Sequence, residues 1–214
     1  MILNQYHQLI ERSYSKDHAN KFMGNFLNND QADIIQRSCK DIHQMLPPQP
    51  FACAFLSATL VEFCRQKGIH AYLVAGTLDL NGKRLFNYDP IIEKENIVDK
   101  WDGHCWVIFN DAIAEISLFR TAYSDQSPAW LKDMITGAFG TKRGTILASS
   151  KEMEQFGLMY VPQYIFNDYQ VSGLLSTVEK IVSKTHNIPI DGTTSRVVCP
   201  APGFPHIALQ NICE

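Results

Sequence analysis

Long apolar runs are missing from this chain of 214 residues, and so is any excess of positive charge. Its first twenty residues mix His, Gln, Glu, Arg, Lys and Asp with scattered apolar positions, whereas a cleaved export signal needs an apolar stretch of roughly 7–15 residues. No later run approaches the roughly 20 apolar residues of a membrane-spanning helix. Only 19% of the residues are charged and the formal net charge is −3, which argues against a nucleic-acid partner and against a polybasic membrane segment. Six cysteines (Cys39, Cys53, Cys64, Cys105, Cys199 and Cys213) are spread without short paired spacings, so neither a disulfide scaffold nor a Cys-x-x-Cys zinc site is indicated. Cys105 beside His104, or His206 with Cys199 and Cys213, do not match the usual zinc spacings either. No metal or other cofactor is expected. The expected setting is a reducing cytoplasm, with export as an effector by a route that needs no apolar signal left open. Internal repeats and low-complexity tracts are absent as well.

What is present is enough apolar material, 45% of the residues, to bury a sizeable core. The expected organisation is one α+β domain over residues 1–214. It comprises N-terminal helices over 1–49 packed on an antiparallel sheet, a central core over 50–120 and a C-terminal elaboration over 121–214. Residues 4–27 read as one or two helices. Ala32, Ile35, Cys39, Ile42 and Leu46 then line a helix that Asp30 would cap and that must stop at Pro47-Pro48, because proline disfavours helix in the residue before it. Residues 50–67 are helical in pattern, with Leu56, Leu60, Phe63 and Cys64 on one side, Glu62, Arg65 and Gln66 towards solvent, and Gly68 as the stop.

Residues 69–80 form a strand candidate, and Asn81-Gly82 is a hairpin signal leading into a partner over 83–88. Residues 103–109 and 112–118 are short, apolar and aromatic-rich, and Asn110-Asp111 is a plausible turn between them. Side chains alternate across a strand, so His104, Trp106 and Ile108 share one face while Cys105 points to the other; Ile113, Glu115 and Ser117 share a face of the partner. Further on, the pattern gives a helix over 128–138, strands over 143–148 and 157–165, a helix over 170–185, and an irregular tail from Asn187.

The chemistry-bearing residues fall in the middle of this array. A thiol attacks carbonyl carbon as thiolate, and it is activated at a helix N-terminus beside an imidazole. Cys53 follows Pro50-Phe51-Ala52 and lies in a first turn, where the helix dipole and unpaired N–H groups favour an anion. His104 opens a strand next to Gly103, and Trp106 two residues on can shield its imidazole from water. Glu115, flanked by Ala114 and Ile116, is a carboxylate in an apolar strand and needs a partner. It suits the role of the group that fixes the imidazole tautomer.

This set resembles the transglutaminase-like branch of the papain-like cysteine enzymes. In that family a Cys opens a helix, a His-Ala-Trp-Val-like strand supplies the base, and the following strand carries an acid. Here the counterparts are Cys53, then FCRQKGIHAYLVAGTL (Phe63 to Leu78), GHCWV (Gly103 to Val107) and AEIS (Ala114 to Ser117). The resemblance spans about residues 50–120. It departs at Glu115 for the usual Asp, Ile116 and His70 for prolines, and Phe51 for the usual Gly two residues before the cysteine. It implies acyl transfer on a peptide, isopeptide or glutamine-type amide, with Cys53 as nucleophile, His104 as base and Glu115 as the third member. The Cys53 backbone N–H and the Gln49 side chain would then hold the oxyanion, although Pro48 and Pro50 equally suit Gln49 as an exposed loop residue, and Trp106 reads first as packing and second as a candidate substrate contact. The partner is thus a peptide or protein substrate.

Other readings of the same residues stay open at this point. Glu115 could pair with an Arg such as Arg120, and Asp102 or Asp111 could replace it. Cys64 reads as core, and His7, His18, His43, His70, His186 and His206 read as structural. The fold could also serve as a non-catalytic binding or scaffolding module, or as an amine acyltransferase that uses a thioester donor. The oligomeric state is not legible from the residues.

Overall fold

The computed structural model describes residues 2–93, 103–141 and 143–185. Two short helices open the chain, α1 (Ile2–Ser13) and α2 (Lys16–Gly24), followed by the longer α3 (Asn29–Met45). Asn28, not Asp30, caps α3: its side chain accepts the Gln31 N–H while the Gln31 side chain accepts the Asn28 N–H, a reciprocal box that leaves Asp30 free of capping duty. Helix α4 (Cys53–Gln66) starts later than its pattern suggested, because Phe51 has a positive φ of 58° that no right-handed helix accommodates.

Strand β1 (Tyr72–Leu80) then pairs antiparallel with β2 (Lys83–Phe86) across a hairpin whose two central residues, Asn81 and Gly82, both have positive φ. That is the backbone a tight two-residue hairpin demands, and Asn-Gly supplies it at little cost. After a 3₁₀ turn at Pro90–Glu93 come β3 (His104–Phe109) and β4 (Ala112–Glu115), the expected antiparallel pair. Strand β4 is shorter than expected, and Leu118–Ala122 forms a short helix, α5. The chain continues through α6 (Ala129–Phe139), β5 (Ile146–Ser149), α7 (Ser150–Gln155), β6 (Leu158–Ile165) and α8 (Asp168–Thr185). The expected irregular tail from Asn187, with His186, Cys199, His206 and Cys213, lies outside the described residues.

The result is an α+β fold around a six-stranded, wholly antiparallel sheet. Strand β1 is the hub. One edge carries β3 beside Tyr72–Gly76 and β2 beside Leu78–Leu80, and the other carries β6 along Val74–Leu80. Beyond β3 the order continues to β4 and β5.

Helices cover both faces, so the N-terminal helices are divided and do not form one layer. Alternation along β1 and β3 sends Leu73, Ala75, Cys105 and Val107 into a core shared with α3, α4 and α8. Tyr72, Val74, Trp106 and Ile108 face a second core built with α1, α2, α5 and α6. Helix α4 lies against the sheet and is buried on most of its circumference, including Ser57 and Thr59 as well as Leu56, Leu60 and Cys64. Arg65 does not face solvent as expected. It donates to the Ala71 carbonyl, Asp168 and the Tyr14 hydroxyl, tying α4 to the turn after α1 and to the start of α8.

Gly76, paired with His104 in the register, marks the tightest point of the sheet. A Cβ there would sit 2.1 Å from the Val161 carbonyl oxygen and 2.7 Å from the Trp106 ring. Because one of those neighbours is backbone, Gly76→Ala should lower the free energy of unfolding by roughly 1–3 kcal/mol. Urea unfolding checks this, and an unaltered midpoint would show that β6 can retreat without cost.

Candidate active site

Cys53 is the first residue of α4, after Ala52, and no side chain caps this helix. Its first-turn N–H groups therefore keep their positive end open. The approach to the helix is constrained. Phe51 sits in the left-handed region, which costs a residue with a Cβ roughly 1–2 kcal/mol, and its N–H donates to Thr121 Oγ1 at 3.2 Å, on α5. One turn beyond Cys53, Ser57 Oγ donates to the Cys105 carbonyl at 3.3 Å. The first bond ties the approach to α4 to α5, and the second sets the N-terminal turn of α4 against the start of β3, where the Cys53 thiol lies 3.8 Å from the Gly103 carbonyl. The thiol is nearly buried, with 6% of its residue surface accessible.

His104 begins β3 and Glu115 ends β4. The register pairs Val107 with Ala114, so its continuation sets Glu115 opposite Trp106 and diagonal to His104 on the same face. The imidazole Nε2 lies 2.6 Å from Glu115 Oε2, with both side chains buried. This leaves Nδ1 to serve the thiol. Phe86 stacks on the imidazole at 4.8 Å between centroids, and Trp106 and Tyr160 lie at 6.2 and 6.4 Å. The ring is thus held in one plane and shielded from water, with 2% of the His104 surface accessible.

Glu115 is fully buried, and every lone pair it presents has a claimant. Oε2 also accepts the Tyr160 hydroxyl at 2.8 Å, while Oε1 accepts the Ser117 N–H and the Leu118 N–H, each at 2.9 Å, and the Ser117 hydroxyl at 3.2 Å. Ser117 was expected to continue the strand. The carboxylate instead gathers the two N–H groups that open α5, which is why β4 stops at Glu115.

These contacts set the charges. For Cys53 the hydrogen bond from Cys105 is the largest influence; with the hydrogen bond and positive charge of His104 it outweighs burial and brings the thiol down to about 5. Burial works against a charged His104, but Glu115 and Cys53 outweigh it and hold the imidazolium up to about 10. Burial likewise opposes ionisation of Glu115 and is overcome by His104 and by the Ser117 and Leu118 N–H groups, so the carboxyl stays below its ordinary range. Cys105 and Tyr160 are pushed well above theirs, first by burial and then by the neighbouring negative groups. Near neutrality the three residues therefore form a thiolate, an imidazolium and a carboxylate.

The other expected residues fare differently. Gln49 is exposed in the Pro47–Pro50 segment, and its side chain bonds neither Cys53 nor His104. Trp106 is fully buried and donates to Tyr6 Oη at 3.2 Å, so it packs behind the imidazole and is not a substrate contact. Arg120 is not the partner of Glu115; its guanidinium donates to the His43 and Leu46 carbonyls at the end of α3. Asp111 sits in the turn at the far end of the β3–β4 hairpin from His104, and Asp102 lies outside the described residues. Cys64 is core, and no group of three or more metal-ligating side chains occurs among the described residues.

Two contributors were not read from the sequence. Cys105 does point away from the His104 face, as alternation requires, but that face is where α4 brings Cys53. Tyr160 comes from a strand 45 residues beyond Glu115. Its only signal was the general need of a buried phenol for an acceptor.

No family model, curated protein or solved structure matches the chain significantly.

The pH dependence of stability follows from the ionic states. Unfolded values near 9 for Cys53 and 6.5 for His104 become about 5 and about 10 on folding. Between pH 6.5 and 9 both states of the chain hold one proton on this pair, on Cys53 when unfolded and on His104 when folded. The contribution is flat there. Below 6.5 the unfolded pair binds more protons and the stability falls with acid towards 5; above 9 the folded pair binds more and the stability falls with alkali towards 10. Urea unfolding relative to Cys53→Ser/His104→Gln should give this plateau; a difference that slopes steadily between pH 6.5 and 9 would exclude the ion pair.

Proposed function

We propose that this chain is a cysteine-nucleophile hydrolase or acyltransferase acting on a peptide, isopeptide or glutamine-type amide, resembling the transglutaminase-like and papain-like enzymes. One observation carries the reading: Cys53, at the uncapped start of a buried helix, lies against the start of β3 with its thiol 3.8 Å from the Gly103 carbonyl, and the next residue, His104, has its Nε2 held by a buried carboxylate. That combination meets what thiol acylation requires, namely a charged nucleophile, a proton donor for the leaving group and a fixed tautomer.

In the acylation step the Cys53 thiolate adds to the amide carbonyl. The oxyanion that forms is stabilised by the Cys53 N–H and the dipole of α4. The C–N bond then breaks as His104 passes its proton to the departing nitrogen, leaving a thioester and a free amine. A water molecule attacks the thioester and gives a proton to His104, and collapse of the second tetrahedral species expels the Cys53 thiolate with a carboxylic acid. An amine in place of that water completes acyl transfer. Glu115 keeps its charge throughout and steadies whichever protonation state His104 adopts. No cofactor enters any step.

The iodoacetamide alkylation rate of Cys53, followed by peptide mapping across pH, should rise with a midpoint near 5 and exceed that of the other cysteines. A midpoint of about 8–9 would sink the enzymatic reading and leave a binding module on the same fold. Cys53→Ala should keep the circular dichroism of the native chain while lowering turnover of a fluorogenic peptide-amide panel by about 10³-fold or more. Turnover that needs a thioester donor would identify an amine acyltransferase instead.

A further inference from the structure

Three residues with a Cβ adopt positive φ among the described residues: Asn81, Asn110 and Phe51. The two asparagines occupy tight hairpin turns, where a short amide side chain tolerates the left-handed region. Phe51 has neither excuse. It is not in a hairpin, its ring is bulky, and 55% of its surface is exposed, so packing does not compensate the strain. Glycine or asparagine would hold the same backbone more easily. Strain of this kind persists only where the surroundings over-determine it, and it concentrates at sites that use it.

The surroundings here do over-determine it. Pro50 is buried on one side, Cys53 begins α4 on the other, and the Phe51 N–H is held by Thr121 Oγ1. The consequence is a phenyl ring left largely exposed to solvent two residues before Cys53. A residue needed only for the turn would not be aromatic, and one needed only for packing would be buried.

On the strength of the proposed acyl-transfer chemistry, we infer that Phe51 is a specificity-determining residue, an apolar wall beside Cys53 that selects substrates with an apolar or aromatic side chain next to the scissile carbonyl. The ring gains from covering such a side chain, since both lose apolar surface to water on binding. A polar side chain at the same place gains nothing from it and loses hydration.

The test needs no knowledge of the natural substrate. Two peptidyl chloromethyl ketones that differ only in carrying Phe or Ser beside the ketone are reacted with the native chain, Phe51→Gly and Phe51→Asn, and second-order labelling of Cys53 is read by mass spectrometry. The native chain is expected to prefer the Phe probe at least tenfold, and both variants to lose that preference to within about twofold. Thermal unfolding of Phe51→Gly should occur at the native temperature or above, since glycine relieves the strained φ. Equal labelling by the two probes in the native chain, or a preference that survives in the variants, would overturn the inference. Alkylation of Cys53 by iodoacetamide without a low-pH limb would instead remove the acyl-transfer reading on which it rests, so the two failures are separable.

Discussion

A carboxylate with no access to water has to be answered by donors on every side, and the arrangement around Glu115 follows from that requirement. Its two oxygens take an imidazole, a phenol, a hydroxyl and two backbone N–H groups. Each donor comes with structure attached. The N–H pair ends β4 and starts α5, the phenol ties in β6 from the far edge of β1, and the imidazole fixes the first residue of β3. Remove the charge and four elements lose the point at which they converge.

The same requirement explains why His104 is charged in a place that disfavours charge. Burial alone would strip its proton, and a single carboxylate would serve mainly to restore it. The Cys53 thiol adds the second negative partner, and Cys105, on the α4 side of β3, gives that thiol a further hydrogen bond. A buried ion pair of this sort adds little to stability by comparison with an apolar core of equal shape. In the proposed reaction its worth lies in holding charges where the chemistry needs them. The strained turn at Phe51 and its bond to Thr121 complete the frame, because Thr121 belongs to the helix that Glu115 opens.

Much of this was legible from local patterns. Alternation over 103–109 and 112–118 gave His104 and Glu115 a face each, which the register of the pair then brought together, and the Asn81-Gly82 and Asn110-Asp111 signals gave both hairpins. The apolar stripes gave the long helices, with ends misread where a competing polar contact prevailed, as at Asn28, Phe51 and Ser117. The choice of sheet face for each helix was not legible, because an apolar stripe says that a helix is covered and not by what. Gln49 and Trp106 were drawn into the site by proximity in sequence; full burial takes Trp106 away from any substrate, while Gln49 stands exposed without a bond to Cys53 or His104. Tyr160 and the contact of Cys105 with Cys53 depend on pairings remote along the chain, for which periodicity holds no information.

The central claim is that Cys53 is a thiolate at neutral pH because the Cys105 hydrogen bond and the His104 imidazolium, itself answered by Glu115, together outweigh burial. Thiolate absorbance near 240 nm, taken as the difference between the native chain and Cys53→Ser across pH, tests it without any substrate. The expected signal is present at pH 7 and disappears with a midpoint near 5 on acidification. A signal that is absent at pH 7 and grows in only above about pH 8 would mean that the proton stays on sulfur, and the account of the site would be wrong.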